Sequence, residues 1–441
     1  MTSIEWHSVS RLTTVLPPIR RLSEFAYAVI ALLMLTQGPV YRLWSDSATF
    51  LGTAPQPSIP HAHFATFIAV QIPALVLLSR QLDLSFFSSR AAQLLLALLG
   101  WLGLSVLWST LARHSLPEFV ALACTTSFGI YLATRFTLGE LWRIVAVAMA
   151  LGLGLSLFAI RRGWDASVNL DEDYWIGIYY NRNSLAPVAA VALLAFIGLA
   201  FTTSLRRTID VAVLAAGVVL AGVAALILWR TESLTSPLAL LVAVGALVLW
   251  LLVRLATQRI AARRWQNVAA PIAMAIAAVA VFVALRTIGG LASVSGETAT
   301  FNSRGGLWAQ SWAGFLEKPW LGWGWMAARR TLDFDRVGKW WAVIDTEWSH
   351  NGYHDLLLGG GVLAAVLFVG IVFFGVGSID QTASLRTTVP SFLMISFVLA
   401  AATQESFFIG SPFVWAMLIA MLFVDSGTQR KALVDEHHAG N

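Results

Sequence analysis

The fold class this sequence predicts is an all-α membrane protein, a bundle of about twelve spanning helices with one large polar loop. Three observations predict it. Only 12% of the residues are charged and 58% are hydrophobic, whereas soluble domains carry about 25% charged residues. The apolar residues gather in runs of about 17 to 25, the length that crosses a hydrocarbon core about 30 Å thick. Nineteen tryptophans suit a protein with much interfacial surface, because indole rings prefer the headgroup zone.

The apolar runs lie near 22–41, 62–79, 91–109, 117–136, 139–160, 184–203, 208–229, 234–256, 266–286, 352–377, 387–404 and 409–425. Gln37-Gly38-Pro39 interrupts the first, and only a few residues part the last two. The basic, polar stretch Met1–Arg21 reads as a cytoplasmic lead-in to a retained first helix, since no small-residue cleavage site follows the first apolar run. Three segments result: helices one to nine over 1–286, a large loop over 287–351, and helices ten to twelve with a tail over 352–441. There is no internal repeat and no soluble domain.

Loop charges orient the bundle. One set of connections carries Arg11, Arg20, Arg21, Arg80, Arg90, Arg135, Arg143, Arg206, Arg207, Arg254, Arg259, Arg263, Arg264, Arg386, Arg430 and Lys431. The short connections of the other set carry only Arg42, Arg113, Arg161, Arg162, Arg182 and Arg230. Positive-inside bias then puts both termini in the cytoplasm and the 287–351 loop outside, long loops being translocated largely regardless of charge. The unusual polar residues of 161–183, Arg230, 287–351 and Gln404-Glu405 all fall on that outer side.

The net charge of +5 does not indicate nucleic acid, because the basic residues are scattered through short inter-helix connections. Cys124 is the only cysteine, so no intramolecular disulfide is possible and the redox compartment cannot be read.

The stretch Trp348-Ser349-His350-Asn351-Gly352-Tyr353 closes the loop and opens a spanning run. A histidine at such a mouth is a functional candidate, because ionisable groups at membrane depth are costly. Upstream lie Phe301-Asn302-Ser303-Arg304-Gly305-Gly306-Leu307-Trp308 and Lys318-Pro319-Trp320-Leu321-Gly322-Trp323-Gly324-Trp325. Earlier still are Tyr179-Tyr180-Asn181-Arg182-Asn183-Ser184, entering a helix, and Arg230-Thr231-Glu232-Ser233-Leu234-Thr235-Ser236, leaving one.

In their order and spacing these pieces resemble the outer-face residues of the O-antigen ligase superfamily, which includes O-antigen ligases, O-antigen polymerases and related exopolysaccharide and protein O-glycosylation enzymes. The resemblance is carried by roughly 175–365 and elsewhere rests on hydropathy. It implies a GT-C-like glycosyltransferase of the bacterial plasma membrane, with no cofactor and no metal. The donor would be a glycan on a polyprenyl diphosphate, and the acceptor a hydroxyl of a glycan, lipid or protein. His350 would be the general base, since an unperturbed imidazole titrates at about 6.5 and suits proton abstraction at neutral pH. Arg230, Arg304 and Arg182 are the candidates for the diphosphate, because a guanidinium forks onto phosphate oxygens and stays charged. Asn351, Tyr180, Asn183 and Asp355 would support them. The family often has an acidic residue shortly before the Gly pair that follows His-Asn; here Asp355 is the residue available for that place, and the assignment stays open.

Other readings compete. His350 could cap a helix at the interface, Arg304 could anchor a phospholipid headgroup, and Arg230 at a helix end could snorkel. His350 and His354, four apart, could pair on a metal with Asp355 or Glu347. The Trp-rich loop could stack on sugars, or lie on the headgroups as an interfacial or re-entrant helix. Ligase and polymerase share donor chemistry and differ in acceptor; twelve spans and a single large loop favour the ligase. A transporter of lipid-linked sugars, which has no chemistry, would show midplane polar residues and repeated halves.

Overall fold

The computed structural model describes residues 18–44, 61–82, 84–203, 208–258, 302–328, 349–381, 384–406, 408 and 411–424. Among them it is helical, with a single isolated bridge, Val168 to Trp175, outside the helices. The helices are α1 (Pro18–Leu35), α2 (Gly38–Trp44), α3 (His61–Gln81), α4 (Arg90–Leu104), α5 (Ala112–Arg135), α6 (Leu138–Arg161), α7 (Arg182–Thr202), α8 (Thr208–Arg230) and α9 (Thr235–Gln258). After them come α10 (Asn302–Glu317), α11 (Gly352–Gln381), α12 (Leu385–Ala401) and α13 (Pro412–Val424). A 3-10 turn, Ser105–Trp108, extends α4.

Seven of these are long and apolar enough to cross a membrane, and three shorter apolar helices join them. A helix of 24 residues such as α6 reaches about 36 Å at 1.5 Å per residue. The span expected over 266–286 and parts of the 287–351 loop lie outside the described residues.

The first expected span, 22–41, is two helices. Gln37 takes a positive φ of 68°, and the proline after Gly38 suits the first turn of a new helix. Tyr179 stabilises this break: its ring lies against Gly38, and its hydroxyl is 3.2 Å from that of Thr36. The last two spans, expected over 387–404 and 409–425, are Leu385–Ala401 and Pro412–Val424. The longer polar connection between them turns out to matter for the site.

Helix ends follow local sequence. Thr137 and Glu140 form a reciprocal capping box at the start of α6, satisfying two of its orphan amides. Glu140 also takes both bonds from Arg21 Nη2, at 2.8 and 2.7 Å. Asn181 caps α7 by accepting from the Ser184 amide at 2.9 Å.

α7 packs between α6, α8 and α12, α9 packs on α12, and α4 packs on α11. α13 is buried throughout, with the Trp415 indole donating to Thr126 of α5 at 2.9 Å. α8 and α9 leave much of their apolar surface outward (Val219, Trp229, Leu241 and Leu252 among it), the pattern of lipid-facing helices.

Within the expected loop, α10 runs into a tight turn, Lys318–Trp325, that docks into a break in α11. Gly361 there has φ 68° and ψ −166°. The Val362 amide donates to the Pro319 carbonyl and the Trp323 amide to that of Leu358, both at 2.8 Å. A Cβ at Gly361 would collide with the Trp320 carbonyl, so only glycine admits this approach. Gly361 lies nine residues into α11, about 13 Å along its axis. This part of the expected loop therefore sits beside the interior of a candidate span.

Candidate functional site

Polar groups converge at one end of the bundle, where α7, α9 and α11 begin and α6, α8 and α12 end. The segment Ser349–Asn351 leads into α11. Asn351 caps that helix, its side-chain oxygen accepting from the amides of Tyr353 at 3.0 Å and His354 at 3.2 Å. Asp355, one turn in, reaches back: its Oδ1 accepts from the Ser349 amide at 2.9 Å and the Ser349 hydroxyl at 2.7 Å. Between these anchors His350 is held at φ 50°, a left-handed conformation uncommon outside glycine. Trp308 of α10 donates to the Ser349 carbonyl at 3.2 Å and meets the His354 ring edge-on.

His350 Nδ1 faces both carboxylate oxygens of Glu405, at 3.1 and 3.3 Å. Glu405 lies in the turn after α12; the sequence placed it among the outer-side polar residues but gave it no role at the site. A lone carboxylate in a short connection between two apolar runs was the available signal. The same turn holds the His350 segment by backbone: Gly352 donates to the Ala402 carbonyl at 2.9 Å, and the Asn351 side chain to that of Thr403 at 3.2 Å.

Two further elements join. Thr235, at the start of α9, bonds Gln404 at 3.5 Å. Ser233 in the turn after α8 donates to Asn183 of α7 at 2.9 Å. Asn183, a sequence-derived candidate, thus ties the start of α7 to the Arg230–Ser236 turn. Tyr180 stacks on Tyr41 of α2 with ring centres 5.6 Å apart, placing it beside the α1–α2 break. Its neighbour Tyr179 is fully buried, which pushes its phenol well above the usual range despite the Thr36 bond.

The arginines separate into two cases. The segment 163–181 folds over the ends of α7 and α8, its Trp175 amide donating to the Arg230 carbonyl at 2.8 Å. From it Asp173 meets the Arg230 guanidinium at 3.2 Å and Glu172 meets that of Arg182 at 3.8 Å. Each guanidinium also lies over an aromatic ring of the segment, Arg230 on Trp175 at 5.2 Å and Arg182 on Tyr174 at 4.5 Å. Both candidates for one phosphate thus stand under one acidic stretch. Arg304 lies in the first turn of α10; its side chain is outside what the structure describes. Among the described residues no group of three or more His, Cys, Asp or Glu is spaced to hold a metal.

The fold is that of a multi-pass helical protein in which the His350 segment, the Gln404-Glu405 turn, Ser233 and Asn183 meet at one end. Residues 218–369 match the family model described as O-antigen ligase, so over that stretch the chain is similar to this family. That stretch contains Arg230, Arg304, His350, Asn351 and Asp355 and leaves out Tyr180, Arg182, Asn183 and Glu405. No characterised protein matches the sequence.

Proposed function

We propose that this protein is an inverting, metal-independent glycosyltransferase, which moves a preassembled glycan from a polyprenyl diphosphate to an acceptor hydroxyl at the outer face of a bacterial plasma membrane. The layout is twelve spans with both termini cytoplasmic. His350 takes the proton of the acceptor hydroxyl as its oxygen attacks the anomeric carbon. A new C–O bond forms, the bond to the diphosphate breaks, and the electron pair leaves with the phosphate. The leaving group is already stabilised, so the protein supplies a base and positive charge. Arg230 and Arg304, with Arg182 as the further candidate, provide that charge in a form that forks onto phosphate oxygens.

One observation carries the reading: the His350 segment, the turn after α8 and the start of α7 are joined through Asn183–Ser233 and Thr235–Gln404 into one polar cluster. The polar groups lie at a bundle end, where a lipid-linked donor can meet an acceptor hydroxyl, and not at the midplane where a transporter would hold them. The test is transfer by purified protein, using the carrier-linked glycan that accumulates when the gene is deleted. His350→Ala should lose about 10²–10⁴-fold in rate while its expression holds; wild-type turnover would remove His350 as base. If the accumulated lipid carries single repeats instead of full-length polymer, the enzyme is a polymerase.

A further inference from the structure

We infer that Glu405 is the positioning residue of His350, acting on the reaction only through the imidazole; this rests on the reading of His350 as the base. Both side chains are largely shielded, at 16% and 15% exposure, and Nδ1 faces the two carboxylate oxygens together. The pair is not a pair of long flexible side chains meeting at a surface. Glu405 Oε1 also accepts from the Ser406 amide at 3.2 Å. The backbone of its turn is fixed by Gln404 and Glu405 amides donating to the Ala401 carbonyl, at 3.0 and 3.1 Å. Two bonds, Gly352 to Ala402 and Asn351 to Thr403, then set the two segments against each other without help from the dyad.

Among the described residues, the other carboxylate near His350 has a different task. Asp355 Oδ1 is occupied by the Ser349 amide and hydroxyl, so it shapes the turn. His354, the other titratable group of this helix turn, meets Trp308.

The chemistry follows from the contact. A carboxylate at Nδ1 accepts a hydrogen bond and selects the tautomer protonated there, which makes Nε2 the basic nitrogen. When Nε2 takes the acceptor's proton the ring becomes cationic beside an anion already in place. That attraction grows along the reaction coordinate, so it lowers the barrier without tightening donor binding.

The experiment compares Glu405→Ala, Glu405→Gln, His350→Ala and the double variant His350→Ala/Glu405→Ala, full-length in detergent, with the accumulated carrier-linked glycan as donor. Glu405→Ala should lower kcat by about 10²-fold, within the range general base help supplies, with donor KM unchanged within about twofold. Glu405→Gln keeps a hydrogen-bond acceptor but not the charge, and should lose about tenfold. This isosteric variant carries the test if the alanine variant does not fold. The double variant should be no slower than His350→Ala, because an orienting group has nothing to orient once the ring is gone. Wild-type kcat in Glu405→Gln overturns the inference, and so does a double variant more than about threefold slower than His350→Ala, which marks a structural role. Full activity in His350→Ala is a different failure, that of the base assignment itself.

Discussion

Arg230 shows how a single residue serves the site through both of its ends. Its carbonyl anchors the 163–181 segment through Trp175, and its guanidinium rests between the Trp175 ring and Asp173. Arg230 is 32% exposed and Asp173 77%, and an ion pair that exposed is worth about 0–1 kcal/mol. Under the proposed function a diphosphate, with more charge and matched geometry, would displace such a partner. Charge-assisted bonds to phosphate are worth about 1.5–3 kcal/mol each. Arg230→Ala should therefore slow transfer by about tenfold to a hundredfold, with Arg230→Lys between it and the wild type. If Arg304 holds the same group, the Arg230→Ala/Arg304→Ala variant should fall short of the product of the single losses. Steady-state rates of the four proteins settle it; a strictly multiplicative loss would separate the two arginines.

At the scale of elements, the docking of the Lys318–Trp325 turn into α11 places α10, and so Trp308, against the His350 segment. Two close contacts depend on bare backbone at the α11 break, Trp320 carbonyl on Gly361 and Leu358 carbonyl on Gly322, and the Trp101 indole donates to the Gly360 carbonyl at 2.7 Å. Gly361→Ala would need a positive φ and space that the Trp320 carbonyl already fills. It should destabilise the protein by about 1–3 kcal/mol, seen as a lower midpoint of thermal unfolding in detergent. Transfer should fall with it, because Trp308 would lose its hold on Ser349. Unchanged stability and rate would mean that α11 tolerates a continuous helix there. The break was hidden in the sequence because Gly359-Gly360-Gly361 inside an apolar run also reads as small residues at a helix–helix contact. The interruption of the first span was visible, since Gln37-Gly38-Pro39 puts a turn-forming pair inside an apolar run; its use, seating Tyr179, was not.

For the whole molecule, the proposed orientation places the 163–181 segment outside the cell and the start of α1 inside. Glu172 and the Arg20 side chain are 63% and 55% exposed, while Cys124, the sole cysteine, is buried and gives little background. A membrane-impermeant maleimide should label Glu172→Cys on intact cells and Arg20→Cys only after permeabilisation. The opposite pattern would invert the topology and move the site to the cytoplasmic face.

By itself the sequence determined what depends on composition and near-neighbour chemistry. Charge scarcity and the length of the apolar runs specified a helical membrane protein, because backbone polar groups in hydrocarbon must be satisfied within a helix. The His-Asn junction and the Arg230–Ser236 turn could be singled out because polar residues stand out at the ends of apolar runs. Asn351 and Asp355 were singled out through the resemblance alone; that they cap α11 and hold Ser349 emerged only from the structure. Tertiary structure alone decided the partners that meet across long separations. Glu405 reaches His350 from 55 positions away, Asp173 reaches Arg230 from 57, and Trp101 binds Gly360 from 259. No local pattern encodes such pairs, because they follow from how helices pack and where each connection returns the chain.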